Sequence, residues 1–417
     1  MCNTVGTPQA KQEEHQMWNI DHQDENGLVE LVSPLHKLIE KRYKLNHFGR
    51  VVNVALSDFL ARRIESEDVC TDYNGVLYRI GLVSSAIGRS STSASSPFMI
   101  ERSDVWCDDR SSVHLMVRVW SVQSTTPGQT ELKKITEILA GELCHIFIAS
   151  QNDLMHHIAV AVCQQQLRAA LQGLKGVAFV ANESILPRQS GISSKPMASP
   201  PALKFEAPRQ SHLQNRVVLD LGELARDLKG CSAVEVEDNT VILNGLVFPK
   251  GVSLIVGGGF HGKSTLLRTI AAGVYNKVPG DGREFCVTVA DALVIRSEDG
   301  RYVNNCNISA FISDLPSLPG SSNSVDTRRF STDEASGSTS QAANTIDAIE
   351  FGSSLLLFDE DFSAANFMSR DGRMRALVMD ESITPFLYRV NGLYAAKAVS
   401  SIVVVGGVGD WLDVPDC

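Results

Sequence analysis

The segment GGGFHGKS at residues 257–264 constrains this chain of 417 residues more than any other feature. It matches the pattern GxxxxGK[ST] at every fixed position and lies between an apolar run, SLIV, and a helical run, TLLRTIAAGV. Its glycines let main-chain N–H groups turn toward a polyphosphate, and a helix that begins there points its positive end at the same charge. A glycine-rich turn with a coincidental Gly-Lys-Ser is the alternative, which the strand–loop–helix setting disfavours. The segment predicts a nucleotide-binding loop.

The loop residues have expected roles in binding ATP or ADP with Mg²⁺. Lys263 would neutralise the β- and γ-phosphates, and the Ser264 hydroxyl would be a ligand of Mg²⁺. The residues expected to contact the nucleotide here are Gly257, Gly258, Gly259, Phe260, His261, Gly262, Lys263, Ser264 and Thr265.

A second segment, LLLFDE at 355–360, pairs four apolar residues with two acids. This pattern is typical of a buried strand whose carboxyl end presents carboxylates, which is where ligands bind in open α/β sheets. Asp359 would hold Mg²⁺, and Glu360 would orient and deprotonate the attacking water. Acids at strand ends are also common surface features, so the nearby phosphate loop is what favours the catalytic interpretation.

Composition excludes several classes of protein. Charged residues make up 21% of the chain and hydrophobic residues 43%, as in ordinary globular proteins. The net charge of −10 means that nucleic-acid binding would need a local basic patch. The nine scattered cysteines exclude CxxC motifs and favour a reducing compartment. No apolar stretch approaches the ~20 residues that cross a bilayer, so we expect no membrane partner.

The two halves of the chain differ in pattern, and a Ser- and Pro-rich stretch at 189–215 separates them as a linker or crossover. We expect a mixed α+β domain over 1–188 and an α/β domain over 216–417. In the second half short apolar runs alternate with helical runs, which is typical of a parallel sheet with crossover helices. In the first half the pattern predicts helices over 51–63 and 158–171 and strands over 113–122 and 176–180.

A third segment, SGSTSQ, begins at Ser336 and precedes Asp359 by 23 residues. In ATPases of the ATP-binding-cassette (ABC) class a signature segment opens a helix at about this distance before the acidic strand. The alternative is a flexible polar linker that ends in a helix N-cap. Composition alone favours the linker, whereas composition and spacing together favour the signature segment.

Taken together, seven segments resemble the family of predicted ATPases of the ABC class, which are stand-alone proteins without a membrane-spanning domain. The resemblance covers most of 251–416 and extends weakly to 185–197. It implies an α/β, P-loop NTPase fold of the ABC-ATPase type. The segments are GGGFHGKSTLL, GVYNKVPGDGRE, RSEDGR, ASGSTSQAANTIDAIE, LLLFDEDFSAANFMSRD, ITPFLYRV and VVVGGVGDW.

The resemblance also implies a homodimer. Hydroxyl and N–H groups of Ser336, Gly337 and Ser338 would face the γ-phosphate of a nucleotide bound to a second protomer. The segment SAAN at 363–366 resembles the loop that communicates across such a dimer.

The chain departs from the family pattern in two places. Relatives carry a glutamine in the region where this chain has Glu298, Asp299 and Arg301. All ten histidines lie at or before His261, so the switch histidine that follows the next strand in ABC ATPases is absent. We expect slow turnover as a consequence.

Members of this family include a kinetoplastid mitochondrial ATPase associated with RNA editing. The resemblance thus implies single-stranded or guide-type RNA and an RNA-processing complex as partners, in mitochondria or alternatively in the cytoplasm. The segment at 36–50 interleaves basic and aromatic residues, which neutralise phosphates and stack on bases. A solvated amphipathic helix is the alternative. The candidate RNA-binding residues are Lys37, Lys41, Arg42, Lys44 and Arg50.

The leading hypothesis is a Mg²⁺-dependent ATPase whose dimer closure moves an RNA-binding N-terminal domain. The rival is a nucleotide-gated scaffold that hydrolyses little ATP. A P-loop kinase is a third option, which we disfavour because it leaves SGSTSQ unexplained.

Overall fold

The described part of the chain forms two compact units, each built from separate segments. Unit 1 draws on residues 1–165, 218–242 and 276–284, and unit 2 contains the rest of the chain. The computed structural model describes residues 19–23, 28–33, 49–83, 96–107, 112–123, 127–208, 213–313, 315, 325–370, 377 and 381–416.

Strands and helices are numbered in chain order. The strands are β1 (Asn19–Gln23), β2 (Leu28–Ser33), β3 (Cys70–Tyr73), β4 (Val76–Leu82), β5 (Val105–Cys107), β6 (Val113–Ser121), β7 (Gly176–Ala181), β8 (Gln214–Asp220), β9 (Glu235–Glu237), β10 (Thr240–Pro249), β11 (Val252–Val256), β12 (Cys286–Thr288), β13 (Leu293–Ile295), β14 (Arg301–Cys306), β15 (Phe330–Ala335), β16 (Leu355–Asp359) and β17 (Ser400–Val405). The α-helices of four residues or more are α1 (Gly49–Ser66), α2 (Gln129–Ala149), α3 (Gln151–Ala170), α4 (Lys263–Ala272), α5 (Gly337–Glu350), α6 (Ala365–Met368) and α7 (Val390–Lys397).

Unit 1 contains an antiparallel sheet in the order β1-β2-β6-β4-β3, with β5 paired to β6. Along β6 every second side chain from Val113 to Val119 is buried, which confirms the predicted alternation. Helix α1 packs against β4 and β5, and α2 packs against β3 and β4. The helix predicted over 51–63 is confirmed within α1, and the mixed α and β content is confirmed for the described residues.

Unit 2 contains a parallel sheet in the order β11-β17-β16-β13. The register pairs Val256 with Val405 and Asp359 with Val404, so the carboxyl ends of β11, β17 and β16 lie at the same edge. This arrangement confirms the parallel sheet with crossover helices. It also brings three segments that are far apart in sequence to one edge of the sheet.

Both faces of the parallel sheet are covered by buried apolar side chains, and this packing holds in place the strands that carry the candidate site. On one face Leu355 and Leu357 of β16 pack with Leu267 and Ile270 of α4. On the other face the alternate residues pack into a cluster rich in aromatic rings. Each fully buried Leu or Phe contributes about 1.5–3 kcal/mol to stability, so this sheet is a rigid support. The rings of that cluster are Phe311, Phe330, Phe358, Phe367, Phe386 and Trp411.

The predicted linear boundaries at 188 and 216 do not coincide with the edges of the two units. The strand predicted at 176–180 is confirmed as β7, but it pairs with β10 and β12 and therefore belongs to unit 2. Residues 218–242 and 276–284 lie in unit 1. Pairing between strands that are distant in sequence decides which unit a segment belongs to, and local sequence patterns do not reveal that pairing. As functional domains, 1–188 and 216–417 stay a prediction.

The Ser- and Pro-rich stretch at 189–215 is fixed to unit 2 by backbone hydrogen bonds. The Phe205 N–H donates to Ser184 O at 2.8 Å, and Glu183 N–H donates to Phe205 O at 2.8 Å. The described residues of the stretch before β8 contain no helix, and apart from one isolated β-bridge at Pro196 they are irregular, as expected from their proline content. Among the described residues, no helix combines the length and the apolar character needed to span a membrane.

Candidate nucleotide-binding site

The glycine-rich loop lies between the end of β11 and the start of α4. Gly257 has φ +152° and Gly262 has φ +85°, conformations that favour glycine. Phe260 also has a positive φ, of +60°, and its side chain is fully exposed. The Leu266 N–H donates to Gly262 O at 2.9 Å as α4 begins. The sequence pattern therefore folds as a strand, a strained turn and a helix N-terminus, which together can hold a polyphosphate.

Lys263 lies back over this loop. Its Nζ donates to Gly257 O at 2.7 Å and to Gly258 O at 2.8 Å. In the described part of the chain it forms no ion pair with a carboxylate. The ammonium charge is therefore held by main-chain carbonyls beside the N–H groups of the loop, where it can neutralise a phosphate.

The two acids follow the sheet edge in different settings. Asp359, the last residue of β16, is buried and caps the short 3₁₀ helix Glu360–Phe362 by accepting from Asp361 N–H at 3.3 Å. Glu360 is half-buried, and its Oε2 accepts from Gly406 N–H at 2.5 Å and from Gly407 N–H at 3.1 Å. Glu360 is thus directed toward the turn that follows β17.

That turn lies between the loop and the acids, because β17 lies between β11 and β16 in the sheet. The position of a Cβ atom on Gly406 is 3.9 Å from Lys263 Nζ and 3.8 Å from Glu360 Oε2. The structure therefore brings Lys263 Nζ and Glu360 Oε2 within 4 Å of one common point. A cation for the phosphate and a carboxylate for water beside it form an arrangement suited to phosphoryl transfer.

The residues present fit a magnesium ion that would be bound by protein oxygens and nucleotide phosphates together. Ser264, in the first turn of α4, supplies a hydroxyl, and Asp359 supplies a buried carboxylate at the same sheet edge. The described residues contain no group of three or more His, Cys, Asp or Glu side chains able to hold a metal. One or two protein oxygens, with substrate phosphates and water completing the shell, are the usual set for Mg²⁺.

The segment 336–341 forms the start of α5 and not a free linker. Ser336 is the N-cap residue, but its side chain caps no backbone N–H and instead contacts Thr339 Oγ1 at 3.0 Å. A Cβ atom on Gly337 would lie 2.6 Å from Ser297 Oγ and 3.0 Å from Asp299 Oδ1. Any side chain at Gly337 would therefore require Ser297 and Asp299 to move.

Two side chains of α5 tie its start to neighbouring loops of unit 2. The Ser340 hydroxyl accepts from Glu298 N–H at 3.0 Å. The Gln341 amide donates to Ser363 Oγ at 3.0 Å and accepts from Ala364 N–H at 2.7 Å. Within the described residues, no hydrogen bond joins Ser336, Gly337 or Ser338 to the glycine-rich loop of the same chain.

Several residues at this edge were missed by the sequence reasoning. Arg296 follows the carboxyl end of β13, and its guanidinium lies 5.5 Å from the Phe362 ring, while that of Arg268 lies 6.0 Å from it. The position of Arg296 directly after a strand was a usable signal. No sequence signal could have predicted the contacts of Gln341 or of the Gly406–Gly407 turn, because these contacts depend on which strands become neighbours.

The candidate RNA-binding residues are mostly outside the described part of the chain. Lys37, Lys41, Arg42 and Lys44 fall there, so the structure places none of them. Arg50 is described: it lies in the first turn of α1 and pairs with Glu101, with Nη2 to Oε1 at 2.6 Å and both side chains largely exposed.

A pocket of about 560 Å³ lies at the opposite edge of the parallel sheet and does not belong to this site. Its lining includes Ser354, just before β16, and Ser400, at the start of β17. Its cations are Arg168, Lys250 and Lys397. Arg168 and Lys397 lie in the last turns of α3 and α7, where positive charge offsets the helix dipole.

Comparison with known proteins agrees with this geometry. The chain is 36% identical over 120 residues to an uncharacterized protein of Methanocaldococcus jannaschii, a stretch that covers 28% of this chain and 25% of that protein. The chain therefore spans about a quarter of the length of that curated relative. A sequence model of the ABC ATPase family, described as a P-loop domain, matches residues 150–230 and 226–417. These residues include the loop, both acids and the start of α5, and the chain belongs to the ABC ATPase family.

Proposed function

We propose that this protein is a Mg²⁺-dependent ATPase that acts as a homodimer. One observation carries the hydrolytic part: Lys263 Nζ and Glu360 Oε2 both lie within 4 Å of the Cβ position of Gly406. Membership in a P-loop ABC-type ATPase family supports nucleotide binding and hydrolysis.

Each group at the sheet edge has a role in this proposal. Lys263 binds the β- and γ-phosphates, and Ser264 and Asp359 would hold Mg²⁺, which would neutralise charge on the phosphates. Glu360 orients a water molecule and accepts its proton as the water attacks the γ-phosphorus. The bond to the leaving ADP oxygen then breaks.

The homodimer is proposed from the placement of the α5 start. Ser336 is exposed and Ser338 is half-buried, and no hydrogen bond in the described residues engages them with the loop of their own chain. Hydroxyl and N–H groups at a helix N-terminus bind phosphate well. In the proposed dimer these groups would therefore contact the γ-phosphate of ATP bound to a second copy of the chain.

Calorimetry and phosphate release test the enzymatic part. Lys263→Ala should weaken binding of Mg²⁺–ATP by tenfold or more, since a charge-assisted contact contributes about 1.5–3 kcal/mol. Glu360→Gln should retain binding but lose phosphate release. Lys229→Ala and Glu334→Gln remove exposed groups elsewhere and should behave as wild type. Full hydrolysis by Glu360→Gln would overturn the assignment.

Sedimentation tests the dimer. Glu360→Gln with ATP should accumulate the ATP-bound dimer, because blocked hydrolysis prevents its return to monomer. Adding Ser338→Glu, which places a negative charge where a phosphate is expected, should abolish that dimer. A monomer under all of these conditions would contradict the proposal.

RNA, as a single strand or guide-type molecule in a mitochondrial processing complex, is proposed as the cargo on the family resemblance alone. Replacing Lys37, Lys41, Arg42, Lys44 and Arg50 with Ala should weaken RNA retention and flatten its dependence on salt. Unchanged retention would remove this segment as the RNA contact. Localisation of the tagged protein outside mitochondria would favour the cytoplasm.

A nucleotide-gated scaffold is the second candidate, and the absence of a switch histidine beyond residue 261 favours it. A scaffold would bind ATP and dimerise but release phosphate no faster than Glu360→Gln. Measuring phosphate release with and without RNA separates the two functions.

A further inference from the structure

We propose that the main-chain N–H groups of Gly406 and Gly407 position Glu360 for hydrolysis, in the place where relatives use a switch histidine. The inference rests on the proposed ATPase activity and adds two positioning residues to it. Both N–H groups donate to the same oxygen, Oε2, at 2.5 Å from Gly406 and 3.1 Å from Gly407.

The two donors leave the other carboxylate oxygen available. An ionised carboxylate has about four lone-pair sites. In the described part of the structure Oε1 of Glu360 accepts no hydrogen bond. One oxygen is therefore anchored, and the other can accept a proton from water.

The turn that carries these donors has a fixed position. Strand β17 is buried along its whole length and is hydrogen-bonded on both sides, to β11 and to β16. The turn at its carboxyl end is thus held relative to both the glycine-rich loop and Glu360. Main-chain donors on a rigid strand are preorganised and need no side-chain rotamer to be ordered.

Gly406 and Gly407 matter because they have no side chain beside Glu360, and not because of their backbone conformation. Neither has a positive φ. A Cβ atom on Gly407 would lie 3.6 Å from Glu360 Oε1, and one on Gly406 would lie 3.8 Å from Oε2 and 3.9 Å from Lys263 Nζ. A methyl group fits at these distances, whereas any larger side chain would fill the space where phosphate and water are expected.

Asp410 is the side chain nearest in sequence that could replace a histidine. It lies exposed in the 3₁₀ helix Gly409–Asp413 and, among the described residues, forms no hydrogen bond with Glu360 or Lys263. The main-chain groups therefore carry the contact.

The test compares three substitutions in one turn of the full-length protein. Gly407→Pro removes one donor, Gly407→Ala keeps it and adds a methyl group that fits, and Gly409→Pro places the same ring at the first residue of a 3₁₀ helix, where proline is tolerated. We expect Gly407→Pro to lower kcat by about 10–100-fold, because small errors in positioning cost that much. KM for ATP should stay within about threefold. Gly407→Ala should lose clearly less kcat than Gly407→Pro, and Gly409→Pro, which lies outside the contact, should resemble wild type.

A double-mutant cycle separates positioning from a general structural defect. If Gly407→Pro acts through Glu360, then adding it to Glu360→Gln should lower the residual rate no further. Calorimetry with Mg²⁺–ATP and circular dichroism show whether Gly407→Pro is folded with its loop intact. If it is not, hydrogen exchange provides the measurement: the Gly406 and Gly407 amides should exchange faster in Glu360→Ala than in wild type.

The possible failures are distinguishable. If the wild type releases no phosphate, the proposed function fails and this inference fails with it. If the wild type hydrolyses ATP but Gly407→Pro keeps or raises kcat, or if Gly407→Ala loses as much as Gly407→Pro, only the inference is overturned. Unchanged amide exchange in Glu360→Ala would likewise overturn it.

Discussion

Two clusters of charged residues, one in each unit, differ in what holds them. In unit 1 the fully buried Asp58 carboxylate is held by Arg62 Nε at 2.6 Å and Arg102 Nη2 at 2.5 Å, with His157 Nε2 at 3.4 Å. In unit 2 Lys263 is held by main-chain carbonyls and Glu360 by main-chain N–H groups. Neither makes an ion pair in the described residues.

The difference separates structural charges from charges available to a ligand. A buried carboxylate paired with two guanidinium groups is neutralised by its own fold and has little capacity left to bind anything else. Lys263 and Glu360 are instead oriented by neutral main-chain dipoles, and neither contacts a counter-charge among the described residues. Charges held in this way at a sheet edge are the ones that a phosphate and a water molecule can use.

Glu360→Gln should produce the largest effect and should affect activity alone. We expect kcat to fall by about 10²–10⁴, the usual contribution of a general base, with the free energy of unfolding changed by less than ~1 kcal/mol. Phosphate release and urea unfolding on the same preparation check this. A large loss of stability with retained activity would reverse the roles assigned to the two clusters.

Asp58→Asn should do the opposite. Removing one partner of the buried cluster leaves Arg62 and Arg102 without their counter-charge, which costs about 3–5 kcal/mol of unfolding free energy. The control is Glu67→Gln at the exposed pair with Arg63, where we expect ~0–1 kcal/mol. Equal losses in the two variants would contradict the distinction between buried and exposed pairs.

Gly337→Ala tests the close contact at the start of α5. Its new methyl group would meet Ser297 Oγ at 2.6 Å, so we expect a loss of about 1–3 kcal/mol together with reduced hydrolysis. Gly392→Ala is the matched control, because nothing lies within 4 Å of its Cβ position inside α7. A stable, active Gly337→Ala would remove the packing argument for this glycine.

Acid should destabilise unit 1 through His157. Burial lowers the pKa of His157 below its ordinary value of 6.5, although Asp58 opposes this. The unfolded chain therefore binds a proton below about pH 6.5 that the folded chain does not, and stability falls by up to about 1.4 kcal/mol per pH unit. His157→Gln should flatten this slope in thermal unfolding between pH 7 and pH 5.

Asp58 adds a second loss of stability at lower pH. Burial alone would raise the pKa of Asp58, but the nearby His157 side chain, the hydrogen bond from Arg62 and the charges of Arg62 and Arg102 hold it below 3.8. Its contribution is complete above pH ~3.8 and disappears as the pH falls through the lowered pKa. An Asp58→Asn variant should lack this second step.

Arg50→Ala should have the smallest effect. Its pair with Glu101 is exposed to solvent at both ends, so we expect less than ~0.5 kcal/mol in unfolding free energy. The same variant should lower RNA retention only slightly if the whole 36–50 segment forms the contact. A large loss of retention from this change would identify Arg50 as a specific RNA contact.

The parts of the site that sequence could predict are those whose chemistry is local. The order of glycines, Lys263 and Ser264 specifies a turn and a helix start within eight residues, and the apolar run before Asp359 specifies a buried strand. The amide contacts of Glu360 could not be predicted, since they join residues 46 positions apart through strands that become neighbours only on folding. The Asp58 cluster also joins α1, α3 and a distant loop, and no residue spacing in the sequence predicts it.

By itself, the sequence determined the family, the phosphate loop, the acidic strand and the helix start at Ser336. Each of these features depends on the chemistry and backbone conformation of residues that are consecutive in the chain. Tertiary structure alone decided that β17 lies between β11 and β16, that β7 joins unit 2, and that Glu360 is held by two glycine amides. Each of these depends on pairing between strands far apart in the chain, where burial and hydrogen bonding of the whole sheet select the partners.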